Sequence, residues 1–216
     1  MAECKTSPSL ENMEMLSLLG VALGFATLSG INLYLTTCLA GLAVRFNWLD
    51  LAGKYESLQV LDNPWIIGIS GLLFLLEFFA DKIPWVDTSW DAIHTFIRPV
   101  GGCLLALAAL GDIDPVLTVI AALLSGGTSL LTHAAKTGSR MLINMSPEPV
   151  SNSVASLSED GLVLGGLGLM AFAPTIAFFV FLVAVIAAIW LSRKTFGLLR
   201  KSFAAMRERS HQSPVN

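Results

Sequence analysis

The chain has 216 residues and a formal net charge of −3 at pH 7. Hydrophobic residues make up 54% of it and charged residues only 13%, whereas a soluble domain carries about 25% charged residues. With a mean hydropathy of +0.70, this composition excludes an ordinary soluble protein and predicts an all-α polytopic membrane protein. Cys4, Cys38 and Cys103 are scattered without metal-ligand spacing, so we expect neither a metal site nor a disulfide framework. We also expect no cofactor.

Long uncharged stretches predict six transmembrane helices. The first covers residues 15–46, which is about 48 Å if the helix is continuous. That exceeds a hydrocarbon core of about 30 Å, so the helix must tilt strongly, break near Ser29-Gly30 or fold back. The third opens at a Thr-Ser-Trp-Asp capping box at residues 88–91. The predicted ranges of the second to sixth helices are 64–80, 88–110, 115–144, 150–172 and 174–192.

These helices divide the chain into a cytoplasmic N-terminal segment at 1–14, a transmembrane domain at 15–192 and a basic tail at 193–216. The tail has a basic face and an apolar face at helical spacing, which is typical of a helix lying on an anionic membrane surface. A solvated orientation signal is the alternative. The basic residues place the C-terminus in the cytoplasm, and six crossings then place the N-terminus there too.

Similar breaks in the two halves, 15–111 and 112–192, suggest two inverted three-helix repeats. Leu28-Ser29-Gly30 and Leu124-Ser125-Gly126 each interrupt an uncharged run, and each run ends at an arginine. Apolar segments interrupted at corresponding positions are typical of transporters whose binding sites are built from broken helices. Asn32 and Thr128 follow the two breaks at matching positions, where they are candidates to bind an ion or a polar headgroup. Coincidence among apolar sequences is the alternative.

Acidic residues fall inside two of the predicted helices. Glu77 follows an apolar run on the second helix, with Asp81 one turn later. Glu159 and Asp160 lie in the middle of the fifth helix, and Asn152 lies on the same face as Glu159. A carboxylate at this depth costs a few kcal/mol unless it is paired or protonated. These residues are therefore candidates for proton coupling, and for Asn152 we predict substrate binding.

Basic residues and histidines form two further helix faces. His133, Lys136 and Arg140 lie on one face of the fourth helix, and Asp91, His94 and Arg98 have the same spacing on the third. One hypothesis is an anion- or proton-handling site. In it the arginines, the lysine and His133 meet a ligand's negative charge, while His94 and Asp91 join the proton-coupling group. The other is a structural ionic lattice that holds the bundle together.

Three sequence strings carry a resemblance to a known family. They are Gly30-Ile31-Asn32-Leu33-Tyr34, residues 77–87 with Trp90-Asp91, His94-Thr95 and Arg98-Pro99, and residues 146–152 with Ser158-Glu159-Asp160. Together they resemble a bacterial membrane family known as domain of unknown function 4126, over about residues 24–166. The resemblance implies a polytopic protein of the bacterial inner membrane and no particular activity.

The function that these observations favour is a small inverted-repeat transporter or flippase for an anionic solute or anionic lipid headgroup, coupled to protons. We expect membrane lipid as a partner, a homodimer and no nucleic-acid partner. A channel for a small solute or ion is one alternative, and a structural or partner-binding membrane subunit is another. We do not expect an enzyme, because no nucleophile–base pair is evident apart from Asp91 with His94.

Overall fold

The structure is a computed structural model that describes residues 8–48, 55–144 and 149–212, and every regular element in these ranges is helical. Each of the six α-helices begins at a proline, which tolerates the first helical turn because no amide N–H is needed there. A 3₁₀ helix, Glu56–Asp62, precedes the second α-helix. The helices are α1 Pro8–Arg45, α2 Pro64–Ala80, α3 Pro84–Leu110, α4 Pro115–Asn144, α5 Pro149–Phe172 and α6 Pro174–Gln212.

Five of these helices are long and apolar enough to cross a membrane. The number rises to six if the 3₁₀ helix and α2, which are bent by 66° at their junction, count as one span. The prediction of an all-α polytopic membrane protein is confirmed. The location of both termini in the cytoplasm stays a prediction, because placing the N-terminus there depends on six crossings. Residues 1–7 of the predicted N-terminal segment, residues 145–148 between the predicted fourth and fifth helices, and the last four residues of the tail lie outside the described residues.

Helix α1 is kinked at Asn32, where φ is −149° and ψ is 97°. The sequence predicted a break near Ser29-Gly30, but Ser29 lies in regular helix, where its hydroxyl donates to the Phe25 carbonyl. The Asn32 side chain instead caps the arm that follows, since its Oδ1 accepts a hydrogen bond from the Leu35 amide at 3.0 Å. One residue thus ends the first arm and begins the second.

The corresponding break predicted in the second half is wrong. Helix α4 continues through Ser125 and Gly126, and the Ser125 hydroxyl donates to the Ala121 carbonyl of its own helix at 2.6 Å. Thr128, at the position that matches Asn32, also lies in regular helix. Its side chain therefore does not cap a new helical arm as the Asn32 side chain does. The two halves therefore do not share a broken helix.

The ends of two other helices also differ from the predicted ones. Helix α3 begins at Pro84 rather than at residue 88, so the predicted capping box lies inside the helix. Helix α6 continues to Gln212, and residue 193, where the tail was predicted to begin, lies within it. Packing explains this continuity: Thr195 is buried, and a Cβ added to Gly138 of α4 would lie 2.5 Å from its hydroxyl.

Helix α1 lies at the centre and packs against each of the other five α-helices. Its first arm approaches α4 so closely at Gly30 that an added Cβ would overlap the Thr132 hydroxyl. Small residues allow such close approach of membrane helices. On another side, Ala22 and Ala26 pack with Ala106 of α3. The kink at Asn32 and this close packing place the middle of α1 beside the polar faces of α2 to α5.

Candidate functional site

Polar residues from five helices converge in one buried cluster, which we call the ionic cluster. The predicted faces supply most of it, and the helix packing turns those faces towards one another. Its charged members, all paired with one another, are Glu77 and Asp81 at the end of α2, Asp91 and Arg98 of α3, Lys136 and Arg140 of α4, and Glu159 of α5.

Arg98 joins the kink of α1 to the acidic end of α2. Its guanidinium is fully buried, and Nη2 forms a short ion pair with Glu77. Nη1 donates to the carbonyls of Gly30 at 2.8 Å and Ile31 at 2.6 Å, the last residues before the kink. A helix that ends leaves carbonyls without partners, so Arg98 caps the first arm of α1. The second acid near it, Asp91, lies 3.8 Å from Nη2.

Arg140 holds α4 against α2 and α5. It pairs with Glu159 through two bonds, from Nε at 3.0 Å and from Nη2 at 2.8 Å. Nη2 also lies 3.0 Å from Asp81, and Nη1 donates to the Asn152 side chain at 2.7 Å. Bidentate pairs of this kind combine strength with a fixed geometry. Arg140 thus brings predicted site residues from the end of α2, from α4 and from α5 into contact.

Lys136 lies between the two arginine centres. Its ammonium is 3.2 Å from Glu77, 3.4 Å from Glu159 and 3.7 Å from Asp81. The ammonium carries only three N–H groups, and all three neighbours are carboxylates. Lys136 therefore connects the Arg98 and Arg140 centres into one network.

The two histidines of the site, His94 and His133, each need only one ring proton in the arrangement observed. Nδ1 of His94 lies 2.7 Å from the Trp90 carbonyl, which accepts its proton, while Nε2 lies 2.8 Å from the Tyr34 hydroxyl and accepts from it. For His133, Nε2 lies 3.0 Å from the Asp91 carbonyl and therefore carries the proton, and Nδ1 has no hydrogen-bond partner within the described part of the chain. A single ring proton satisfies each histidine.

Carboxylates outnumber cations in the cluster. Four carboxylates pair with three cations, so full ionisation leaves one excess negative charge. Asp160 lies beside this group and accepts a hydrogen bond from Asn32 at 3.1 Å. An unbalanced charge is costly at membrane depth and is normally neutralised by a proton or a counter-ion.

Several buried oxygens have no hydrogen-bond donor among the described residues, so an added proton can reside on them. Glu77 Oε2 and Asp81 Oδ1 are such atoms, although the other oxygen of each carboxylate is paired. Among the described residues no group of three or more His, Cys, Asp and Glu side chains is arranged to hold a metal ion.

The structure brings together twelve of the thirteen predicted site residues in or beside this cluster, and Thr128 is the exception. Thr128 lies on α4 with its carbonyl accepting from Thr132, on the side that packs against α1 near Gly30. Thr128 was a candidate because two broken helices would place it at the position that matches Asn32, and α4 is not broken. Sequence reasoning missed four residues, since hydroxyls and a helix-end acid give no distinctive pattern: Tyr34, Thr95, Thr137 and Asp87.

Residues 19–194 match the family described as Domain of unknown function (DUF4126). The chain belongs to this family. The match spans every member of the ionic cluster, so this site lies wholly within the DUF4126 domain. No curated protein and no solved structure matches the chain.

Proposed function

We propose that this DUF4126 protein is a proton-coupled transporter, or flippase, for a small anionic solute or anionic lipid headgroup. The observation that supports the proposal is the imbalance of four carboxylates against three cations inside a membrane domain. Intramembrane ionisable residues mark ion and proton pathways unless they serve only as structural pairs. We further propose that it is a homodimer of the bacterial cytoplasmic membrane with its C-terminus in the cytoplasm.

Glu159 is the residue that couples proton to substrate in this proposal. Its side chain keeps 15% of its exposure, whereas the other charged side chains of the cluster keep 3% or less. It is therefore the carboxylate that solvent reaches first. Its two oxygens also form ion pairs with Arg140 and Lys136. Glu159 therefore lies where the anionic group of a ligand would bind.

Protonation of Glu159 weakens both of these ion pairs, because a neutral carboxyl no longer attracts the cations. Arg140 and Lys136 then have positive charge available for an incoming anion, and the proton and the anion enter together. Release on the other side restores the internal pairs. A ligand shifts such an equilibrium only by its differential affinity for the two states, and here the competing carboxylate provides that difference.

The second candidate is a structural ionic lattice in a membrane subunit without transport activity. The observation that favours it is that Arg98, Lys136 and Arg140 each already have a carboxylate partner. Breaking one member of a buried pair is strongly destabilising, by about 3–5 kcal/mol, so such a lattice holds helices in register. This candidate predicts that cluster variants fail in assembly rather than in flux.

The test uses purified protein in liposomes that contain a trapped pH-sensitive dye. Gradients of phosphate, chloride or a monocarboxylate probe solute transport, and dithionite quenching of fluorescent phosphatidylglycerol probes flipping. We expect Glu159→Gln to assemble with a normal unfolding temperature and to lose proton-coupled flux, while Glu56→Gln, on the 3₁₀ helix, behaves as the wild type. Absence of flux in the wild type, together with a large loss of stability in Glu159→Gln, would support the structural candidate instead.

A further inference from the structure

An apolar groove of about 590 Å³ opens between the second arm of α1, α2 and the C-terminal half of α3. It extends along α2 from Trp65 to Leu73, roughly 12 Å at the helical rise. Its outer edge is open, since Trp65 keeps 77% of its exposure and Leu104 keeps 63%. The groove is distinct from the ionic cluster, although Tyr34 contributes to both.

The hydroxyl groups that line the groove donate their protons to partners outside it. The Tyr34 hydroxyl bonds to His94 at 2.8 Å, in the cluster. The Thr37 hydroxyl donates to the Leu33 carbonyl at 2.8 Å, and the Ser70 hydroxyl to the Ile66 carbonyl at 2.6 Å. A polar ligand or an ordered water needs hydrogen-bond partners within its site. The groove therefore suits hydrocarbon.

The length and the lining of the groove suit an acyl chain as its occupant. An acyl chain needs an apolar surface and no polar partner, and the groove offers such a surface over roughly 12 Å along α2. Two of the helices that form the groove, α1 and α3, are long and apolar enough to cross a membrane, and α2 is so when it is counted with the 3₁₀ helix. Lipid chains surround helices that cross a membrane.

One end of the groove carries a pair of opposite charges. Asp62 directly follows Val60 and Leu61, which line the groove. Its carboxylate lies 3.4 Å from the Arg45 guanidinium, and the two side chains keep 53% and 43% of their exposure. A half-exposed cation beside a half-exposed anion complements a headgroup that has both a phosphate and an ammonium group. Trp65, at the same end, is a residue type enriched at the membrane interface.

We propose that this groove binds one acyl chain of a zwitterionic phospholipid of the phosphatidylethanolamine type. The phosphate faces Arg45, the ammonium group faces Asp62, and the chain extends past Ile69 towards Tyr34. The apolar lining selects hydrocarbon, and the charge pair selects the headgroup. The site is separate from the transport proposal and requires no turnover.

The test measures lipid retained by the full chain purified in mild detergent, with native mass spectrometry and with added palmitoyl-oleoyl phosphatidylethanolamine or phosphatidylglycerol as probes. We expect one retained phosphatidylethanolamine per chain. Leu104→Trp places bulk in the groove and should lower retention at least tenfold. The matched control is Val100→Trp, one turn earlier on α3 and also exposed but outside the lining, which should retain lipid as the wild type does.

Two further variants keep the test decisive. If Leu104→Trp does not fold, Ile69→Trp fills the groove from the opposite wall, and Asp62→Asn should reduce the preference for phosphatidylethanolamine over phosphatidylglycerol several-fold. Equal retention by Leu104→Trp and Val100→Trp, or no headgroup preference in the wild type, overturns the proposal. So does efficient disulfide formation between chains of Ile69→Cys in membranes, because a second copy then covers the groove.

Discussion

Asn32 donates a hydrogen bond from Nδ2 to the Asp160 carboxylate at 3.1 Å, and this bond fastens the kink of α1 to α5. The same side chain accepts the Leu35 amide through Oδ1. One buried amide thus caps a helix and satisfies a carboxylate next to the ionic cluster. The backbone irregularity and the charged site are therefore parts of one structure.

Replacing Asn32 should be more costly than removing an ordinary helix cap. Asn32→Ala leaves the Leu35 amide uncapped and Asp160 without its donor. We expect the free energy of unfolding to fall by about 2–4 kcal/mol, because the cost of an unsatisfied polar group adds to the cost of the lost cap. Asn63→Ala is the matched control. Its side chain caps α2 through the Trp65 amide at an exposed position, so we expect a loss of about 1 kcal/mol. Unfolding in mixed micelles measures both, and equal losses would contradict the expected role of Asp160.

The Arg98–Glu77 pair should behave as a buried pair whose members depend on each other. Arg98→Met leaves Glu77 and Asp91 without their closest cation and frees two carbonyls at the kink, so we expect a loss of about 3–5 kcal/mol. Adding Glu77→Gln removes one of the uncompensated charges and should recover part of that loss. A double-mutant cycle in micelles measures the coupling.

The exposed Arg45–Asp62 pair supplies the comparison for that cycle. Its coupling should be only about 0–1 kcal/mol, because solvent screens both side chains. A coupling of that size between Arg98 and Glu77 would mean that the pair is not the buried contact seen here.

Close approach of α1 and α4 makes Gly30 intolerant of a methyl group. In Gly30→Ala the added Cβ overlaps both the Thr132 hydroxyl and the Ser129 carbonyl, and backbone cannot move aside without separating the helices. We expect little folded protein after detergent extraction. Gly127→Ala is the matched control in a spanning helix, because nothing lies within 4 Å of its added Cβ. Monodisperse yield on gel filtration compares them, and equal yields would show that the helices can separate at no cost.

The sequence predicted the bundle better than it predicted the site's geometry. Uncharged stretches bounded by prolines place α2 at Pro64–Ala80 and α4 at Pro115–Asn144, the bounds observed, because a helix in lipid must satisfy its own backbone. Helical spacing likewise puts Lys136 and Arg140 on one face. The partner of each cation depends on how the helices rotate and cross. The periodicity of a single helix carries no information on that arrangement.

The misplaced break has a similar physical origin. Ser-Gly interrupts an apolar run equally at Ser29 and Ser125, yet both serines bond within their own helices. The actual kink depends on Asn32 meeting Asp160 and on Arg98 meeting two freed carbonyls. Those partners come from α5 and α3, so the break is a tertiary feature that no local pattern specifies.

Asp160 and Glu159 are neighbours in sequence and should respond differently to removal of charge. Among the residues that the structure describes, Asp160 lies within hydrogen-bonding distance of Asn32 only. Asp160→Asn therefore keeps an oxygen that can accept that bond and leaves the four-to-three pairing unchanged. We expect its unfolding temperature to stay within a few degrees of the wild type. Asp160→Leu removes the acceptor and leaves the Asn32 amide unsatisfied, at a cost of about 1–3 kcal/mol. Thermal unfolding in micelles separates the two variants, and an equal loss in both would show that the negative charge of Asp160, rather than its hydrogen bond, stabilises the kink.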